Sequence, residues 1–294
     1  MISFNRMCAL LATLALVGAP TAMAQTGTTP PQNSAGAAAQ GPQDDPDMDL
    51  NRSEPDFTLI TLPTNLRLPK YKSAFRVTHR FTRPLNAGEF SDLAEDLFGL
   101  DSGAQIGLEY RFGLMRGLQA GLNRTSNRTI EFFTEYNLWQ QKEHPVAVSA
   151  IATIEGTNNF RDSYSPAIGV VVSRELGNHG AVYVEPIWVN NTNPLPGELT
   201  DDNDTFVVGL GARIRVRPTV YVVGEVIPRT GFAPGTTFGS FAVEKRAGGH
   251  SFQLIFSNGV GTTMAQIARG GTRGAAGPES RDWYMGFNIT RKFF

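Results

Sequence analysis

From Lys72 to the end of the chain one pattern recurs, in which apolar and polar residues alternate with a period of two over segments about ten residues long. The segments fall near 73–83, 104–112, 118–126, 129–139, 146–155, 167–176, 181–190, 205–216, 219–227, 238–246, 250–257 and 282–293. A transmembrane strand tilted across a bilayer needs ~9–11 residues, the length of most of these. Their connections alternate too. The stretches 84–103, 156–166, 191–204, 228–237 and 258–281 are long, with 127–128 as a short exception. Those at Gly113 to Gly117, Gln140 to Pro145, Gly177 to Gly180, Arg217-Pro218 and Ala247 to Gly249 are tight. A soluble β-sandwich has no reason to sort its loops by length, whereas an outer-membrane barrel keeps short turns in the periplasm and long loops outside. The expected fold is all-β: a closed antiparallel transmembrane barrel of about twelve strands, both termini periplasmic, with one short helix in an outer loop. That helix is expected in 84–103, where Asp92-Leu-Ala-Glu95 reads as a helix start ahead of Leu97 and Phe98.

Alternation also assigns faces. In the clearest strand, Phe206, Val208, Leu210, Ala212, Ile214 and Val216 share one face. Thr205, Gly209, Gly211, Arg213, Arg215 and Arg217 share the other, with Val207 the exception. Backbone groups in lipid must pair between strands, so the sheet closes with its apolar face outward. The same phase turns Arg76, Arg80, Glu109, Glu135, Glu185, Arg213, Arg215 and Glu225 inward as lumen-lining residues, together with Arg111, Glu131, Glu155, Glu175 and Glu244. Charges kept off lipid either line water or pair with each other. Twelve strands enclose more than side chains alone fill and less than an open porin, so an open polar pore and a lumen closed by salt bridges both remain. Trp139 and Phe293 near one set of strand ends, and Trp188 and Trp283 near the other, are expected as membrane-interface aromatics. The last strand closes on Phe293-Phe294, as a barrel sorting signal does, although Arg291 interrupts its alternation.

Ahead of the barrel, residues 1–24 read as a cleaved signal peptide. Arg6 supplies the charge, Ala9 to Val17 the apolar core and Ala22-Met23-Ala24 the cleavage site. Cys8, the sole cysteine, lies within it, so no disulfide or thiolate site is expected in the exported protein. Residues 25–55 read as a disordered, acidic and Pro-rich linker. Its Asp45, Asp47 and Asp49 lack the glycine of an EF-type calcium loop, since Leu50 stands at the sixth position. Phe57 to Leu62 is either a short strand or a plug-like lead-in, ended by Pro63. The balance of 26 basic against 27 acidic residues offers no nucleic-acid face.

Four segments together resemble an uncharacterised family, domain of unknown function 5777: Arg76-Val-Thr-His-Arg-Phe81, Leu97-Phe-Gly-Leu-Asp101, Ile106-Gly-Leu-Glu-Tyr110 and Val243-Glu-Lys-Arg-Ala-Gly-Gly-His-Ser-Phe-Gln-Leu254. The resemblance spans about 56–294 and implies an outer-membrane barrel, without implying any catalytic residue. With that address come the expected partners, namely outer-membrane lipid, lipopolysaccharide and the barrel-assembly machinery.

No catalytic constellation stands out. His79 falls on the lipid-facing phase, His144 and His179 lie in turns, and His250 is far from the others in register, so no metal site and no cofactor are expected. His250 and Ser251 are adjacent on a strand and point to opposite faces, which separates base from nucleophile. Gly209-Leu-Gly211 lies inside a strand without a following helix, so small lumen-facing residues account for it better than a phosphate loop. Ala268 to Gly274 reads as a mobile outer loop. The expectation is therefore not an enzyme but a passive channel or binding barrel for small polar solutes, with weak cation preference where Glu exceeds Arg. The alternative is a non-transporting barrel, closed by salt bridges, whose outer loops bind a partner.

Overall fold

The computed structural model describes residues 50–193, 203–233, 235–272 and 282–294. The expected signal peptide and all but the last six residues of the expected linker lie outside these. The barrel runs β1 (Ser73–Phe81), β2 (Ala104–Met115), β3 (Leu118–Thr125), β4 (Ile130–Trp139), β5 (Ala147–Gly156), β6 (Asp162–Glu175), β7 (Gly180–Val189), β8 (Thr205–Arg217), β9 (Val220–Ile227), β10 (Arg229–Gly231), β11 (Phe238–Ala247), β12 (His250–Ser257) and β13 (Tyr284–Phe293). Neighbouring strands pair antiparallel, β1 pairs with β13 and β8 pairs with β9, so the sheet closes on itself.

The thirteenth strand is a fragment rather than an addition to the circumference. Leu210 faces Val226 in the β8–β9 ladder and Val207 faces Arg229 in the β8–β10 ladder, one register throughout. Pro228, which has no N–H to donate, breaks the ninth strand of a twelve-strand barrel into two pieces. Pro166 acts otherwise. It was expected to end a loop, yet β6 starts four residues before it, where the β6–β7 ladder, which begins at Ala167, has not started.

The long connections lie at one end of the barrel, together with the short β3–β4 and β5–β6 connections, and the other tight turns lie at the opposite end, hereafter the loop end and the turn end. The three register shifts in the ladders, at Gly113/Met115, Asn137/Trp139 and Arg215/Arg217, are all at the turn end. Three short α-helices and one 3-10 turn (Leu97–Gly99) occur among the described residues: α1 (Phe90–Glu95), α2 (Thr157–Phe160) and α3 (Met264–Ala268), all at the loop end. In α1, Asp92 accepts from the Glu89 N–H, so the helix begins two residues ahead of the expected start. None of the helices is long and apolar enough to cross a membrane among the described residues.

Two segments leave the wall and enter the lumen. Residues 51–72, which precede β1, form a hairpin bridged at Thr58 and Pro63, with both limbs reaching the turn end. The segment from Phe57 to Leu62 is thus a plug, the second of its two sequence readings, and Leu59, Ile60 and Leu62 are completely buried. Ser53, Glu54 and Pro55, assigned to the linker by composition, are buried with it. From the loop end the β12–β13 connection folds inward and carries α3, all five of whose residues are buried. Ala268 to Gly271, expected to be mobile, are bonded in place. Arg269 donates to the Thr192 carbonyl at 2.8 Å and Gly271 is bridged to Thr236. Residues 273 and 274 of that segment lie outside the described residues.

Candidate functional site: the occupied lumen

Because a strand turns every second residue inward, the polar phase of each strand becomes one continuous inner wall. The structure buries Arg76, Arg80, Glu109, Glu135, Glu185, Arg213 and Glu225 on that wall, along with Arg111, Glu131, Glu155 and Glu244. Arg215 does not join them. It lies two residues nearer the turn, half-buried, and donates to the carbonyls of Pro218 at 3.2 Å and Asn178 at 3.5 Å. Trp139, Trp188, Trp283 and Phe293 are all exposed, two toward each end of the barrel.

Two ion-pair systems cross the wall. In the first, Arg76 meets Glu109 at 2.5 Å, Glu109 meets Arg111 at 3.2 Å and Arg111 meets Glu135 at 3.3 Å. In the second, Arg213 meets Glu244 at 2.9 Å. Gln253 donates to Glu244 and Asn288 donates to Gln253, each at 2.8 Å, and Arg80 donates to Asn288 at 2.9 Å. Gln253 and Asn288 are participants that the sequence reading missed. Their alternation phase was visible, but a neutral amide carries no charge to single it out.

The hairpin is held at its tip by Glu225. One carboxylate oxygen accepts the backbone N–H groups of Ile60, Thr61 and Leu62 at 2.6, 2.8 and 3.0 Å. The other accepts the Thr61 hydroxyl at 2.7 Å and the Ser240 hydroxyl at 3.0 Å. A turn with three convergent N–H groups is an anion cradle, here filled by a wall carboxylate. Below the tip Arg213 donates to the Thr58 carbonyl at 2.7 Å, and Arg76 to the Thr58 hydroxyl at 2.6 Å. The apolar side chains of the hairpin use gaps in the wall. A Cβ on Gly211 would lie 2.2 Å from a methyl of Leu59, and one on Gly209 would lie 2.8 Å from a methyl of Leu62. The two wall glycines are therefore sockets for the plug.

At the turn-end mouth Glu54, in the hairpin and outside the spanning strands, accepts the Tyr183 hydroxyl at 2.8 Å and the Asn65 N–H at 3.0 Å. Burial pushes its carboxyl up to about 8; the Tyr183 hydrogen bond opposes this only in part. A cleft of about 800 Å³ opens beside it, between the hairpin and the 140–142 and 177–178 turns.

At the other end α3 sits on two carboxylates. Glu131 and Glu155 face each other across the β4–β5 ladder, a like-charge pair that is unfavourable alone. Glu131 accepts the Met264 N–H at 2.7 Å; Glu155 accepts the Thr263 hydroxyl at 2.5 Å and Arg269 at 3.1 Å. Between the hairpin tip and α3 a cavity of about 50 Å³ remains, lined on its wall side by Arg76, Glu109, Arg111, Glu131 and Glu135.

Several wall groups have no protein partner despite burial. They include both carboxylate oxygens of Glu185, two guanidinium nitrogens each of Arg80 and Arg213, and one oxygen each of Glu135 and Glu244. No group of three or more His, Cys, Asp or Glu side chains able to hold a metal ion occurs among the described residues.

Comparison with known proteins matches residues 56–293 to a family model described as a membrane-bound β-barrel domain, DUF5777. No curated protein matches the chain. Among solved structures, the NanC porin superposes with a TM-score of 0.50 at 7% identity, over 76% of this chain and all of that one. The outer membrane protein Omp33 of Acinetobacter baumannii gives a TM-score of 0.41 at 10% identity, covering 76% of this chain and 99% of the other. At such identities the likeness to the NanC porin speaks for the fold alone.

Proposed function

Since this chain belongs to the DUF5777 family of membrane-bound β-barrel domains, we propose that it is an outer-membrane conduit for small polar solutes that rests closed. The N-terminal hairpin shuts it from the turn end, taken as the periplasmic side, and α3 shuts it from the loop end. The observation that carries the reading is a charged wall beneath a separable filler. Among the described residues seven buried carboxylates and four buried guanidiniums face inward from the strands. A lumen meant only as a solid core gains nothing from them, since buried ion pairs are commonly replaced by apolar residues without loss of stability. Buried charges without protein partners are costly when dry and ordinary when wet. The hairpin joins the wall covalently only at β1, and its other limb leads back toward the N-terminal segment, so it can leave the lumen without breaking a strand ladder. The solute meets no nucleophile or base in this scheme; the wall acts through charge and diameter.

A second reading, a non-transporting barrel with a permanently closed lumen, is favoured by the packing of Leu59, Ile60 and Leu62 against Ile151, Val171 and Val223. One experiment separates the two. Cys8 is the sole cysteine of the chain, so Asn65→Cys with Ser149→Cys, whose parent side chains are hydrogen-bonded, creates a lock on the hairpin. Planar-bilayer recordings of the full chain are expected to show openings that vanish on oxidation and return on reduction. Openings that persist when the hairpin is locked would refute the hairpin as a gate. A purified, inserted barrel that never opens, even with the hairpin removed by deletion of 51–68 and α3 by deletion of 263–269, leaves the closed structural barrel as the answer.

A further inference from the structure

The β1–β2 connection displays apolar side chains that no other described residue covers. Phe90 is 74% exposed, and Leu97, Phe98 and Leu100 are also exposed, while Leu93 of the same helix turns inward. Phe90 and Phe98 meet edge to face, with ring centroids 6.2 Å apart. Leu97 and Phe98 have φ of +47° and +61°, a backbone conformation that bulky side chains avoid. The loop is nonetheless held firmly. Glu89 and Asp92 cap α1 reciprocally, Arg83 pairs with Asp96, and the Leu85 N–H donates to the Trp283 carbonyl at 2.6 Å. A braced loop that spends backbone strain to turn apolar side chains outward is built to present them.

Its position says to what. Phe81 continues the outward phase of β1 after Phe75, Val77 and His79, which are half-exposed, yet Phe81 itself is buried. A Cβ on Gly99 would stand 3.4 Å from the Cβ atoms of both Phe81 and Arg83. The loop therefore folds over the outside of the wall and not across the lumen mouth. Leu97, Phe98 and Leu100 flank Gly99 there, continuous with the exposed Ile106 and Leu108 of β2 on the outward face.

We propose that the α1 loop is a lipid anchor, with Phe90, Leu97, Phe98 and Leu100 embedded in the acyl-chain region of the outer leaflet. Interfacial elements bind membranes through such apolar area, with the aromatic rings near the headgroup boundary. Four side chains fall well short of the about 800 Å² per partner that a stable protein interface buries, which argues against a second copy of this chain as the occupant. The anchor fixes the rim next to β1, the strand that the hairpin leads into.

The test uses Phe98→Trp in the full chain with the three native tryptophans changed to Phe, and Phe90→Trp as a second reporter. The barrels are reconstituted in phosphatidylcholine vesicles carrying brominated acyl chains. Emission of both reporters is expected to be blue-shifted and quenched several-fold more by bromine on the acyl chains than by aqueous acrylamide. Water-like emission quenched mainly by acrylamide would overturn the anchor. Shielding from both quenchers that grows with protein-to-lipid ratio would overturn it in favour of a second copy. The readout is independent of conductance, so a barrel that never opens leaves the anchor fully testable.

Discussion

Glu225 concentrates the hold on the hairpin in one carboxylate, which accepts three backbone N–H groups and two hydroxyls. Hydrogen bonds to a charged group contribute ~1.5–3 kcal/mol each, with less than additive sums. Glu225→Gln keeps the shape but removes the charge and turns one acceptor into a donor facing hydroxyls. We expect it to raise the opening frequency in bilayer recordings at least tenfold, a change of about 1.4 kcal/mol. Glu54 makes the seat of the hairpin pH-dependent. Its carboxyl titrates near 8 when docked and near its ordinary 4.5 when released. The docked form then binds the proton more tightly, so docking is strongest below about 4.5, weakens as pH rises toward 8, and levels off above it. Proteolysis of the hairpin in detergent-solubilised barrels should accelerate across that window in the parent chain and stay flat in Glu54→Gln. At this scale the sequence exposed which charges face inward, because a period of two leaves no choice of face. It did not expose which of them meet, because partners such as Arg213 and Glu244 lie 31 positions apart and are joined only by the stagger of the closed sheet.

The elements that fill the lumen were harder to read than those that enclose it. Twelve strands announce themselves by repeating, but the hairpin tip is one short apolar run without a period, equally compatible with a strand. α3 has a start signal in Thr263 and apolar residues at Met264, Ile267 and Ala268, a helical spacing too brief to outweigh the glycines that follow. Pro228 and Pro166 show the converse, since one breaks a strand and the other is absorbed where its ladder has not begun. Gly209 and Gly211 were legible as small inward residues; the leucines that occupy them were not. Filling these sockets tests the gate without touching a charge. Gly211→Val combined with Gly209→Val places side-chain carbon where Leu59 and Leu62 now sit. Both replacements favour strand backbone and lie on a wall face, so the barrel itself should tolerate them. The expected outcome is a barrel with normal migration whose hairpin is proteolysed several-fold faster than in the parent chain; unchanged proteolysis would contradict the socket.

For the whole molecule the main consequence is a division between a shell that folds as a closed ladder and a filler that contributes no strand to it. The shell closes through β1–β13 and β8–β9, and no strand ladder passes through residues 51–70. Removing the hairpin together with α3 should therefore leave the heat-modifiable gel migration of a closed barrel, while adding a continuous polar lumen. The charge of that lumen follows from the wall alone: seven carboxylates against four guanidiniums among the described residues. An excess of fixed negative charge in a narrow water-filled path favours cations over anions. Glu185 is the residue to change. It is completely buried and both of its oxygens lack a protein partner, so once water fills the lumen its carboxylate is less offset by a neighbouring guanidinium than those of Glu109, Glu135 or Glu244. Reversal potentials across a salt gradient should show cation preference in the barrel lacking both the hairpin and α3, and Glu185→Gln should reduce it by more than Glu109→Gln does. If Glu185→Gln leaves the reversal potential unchanged, the permeating ions do not pass its level, and the path through the wall has been drawn in the wrong place.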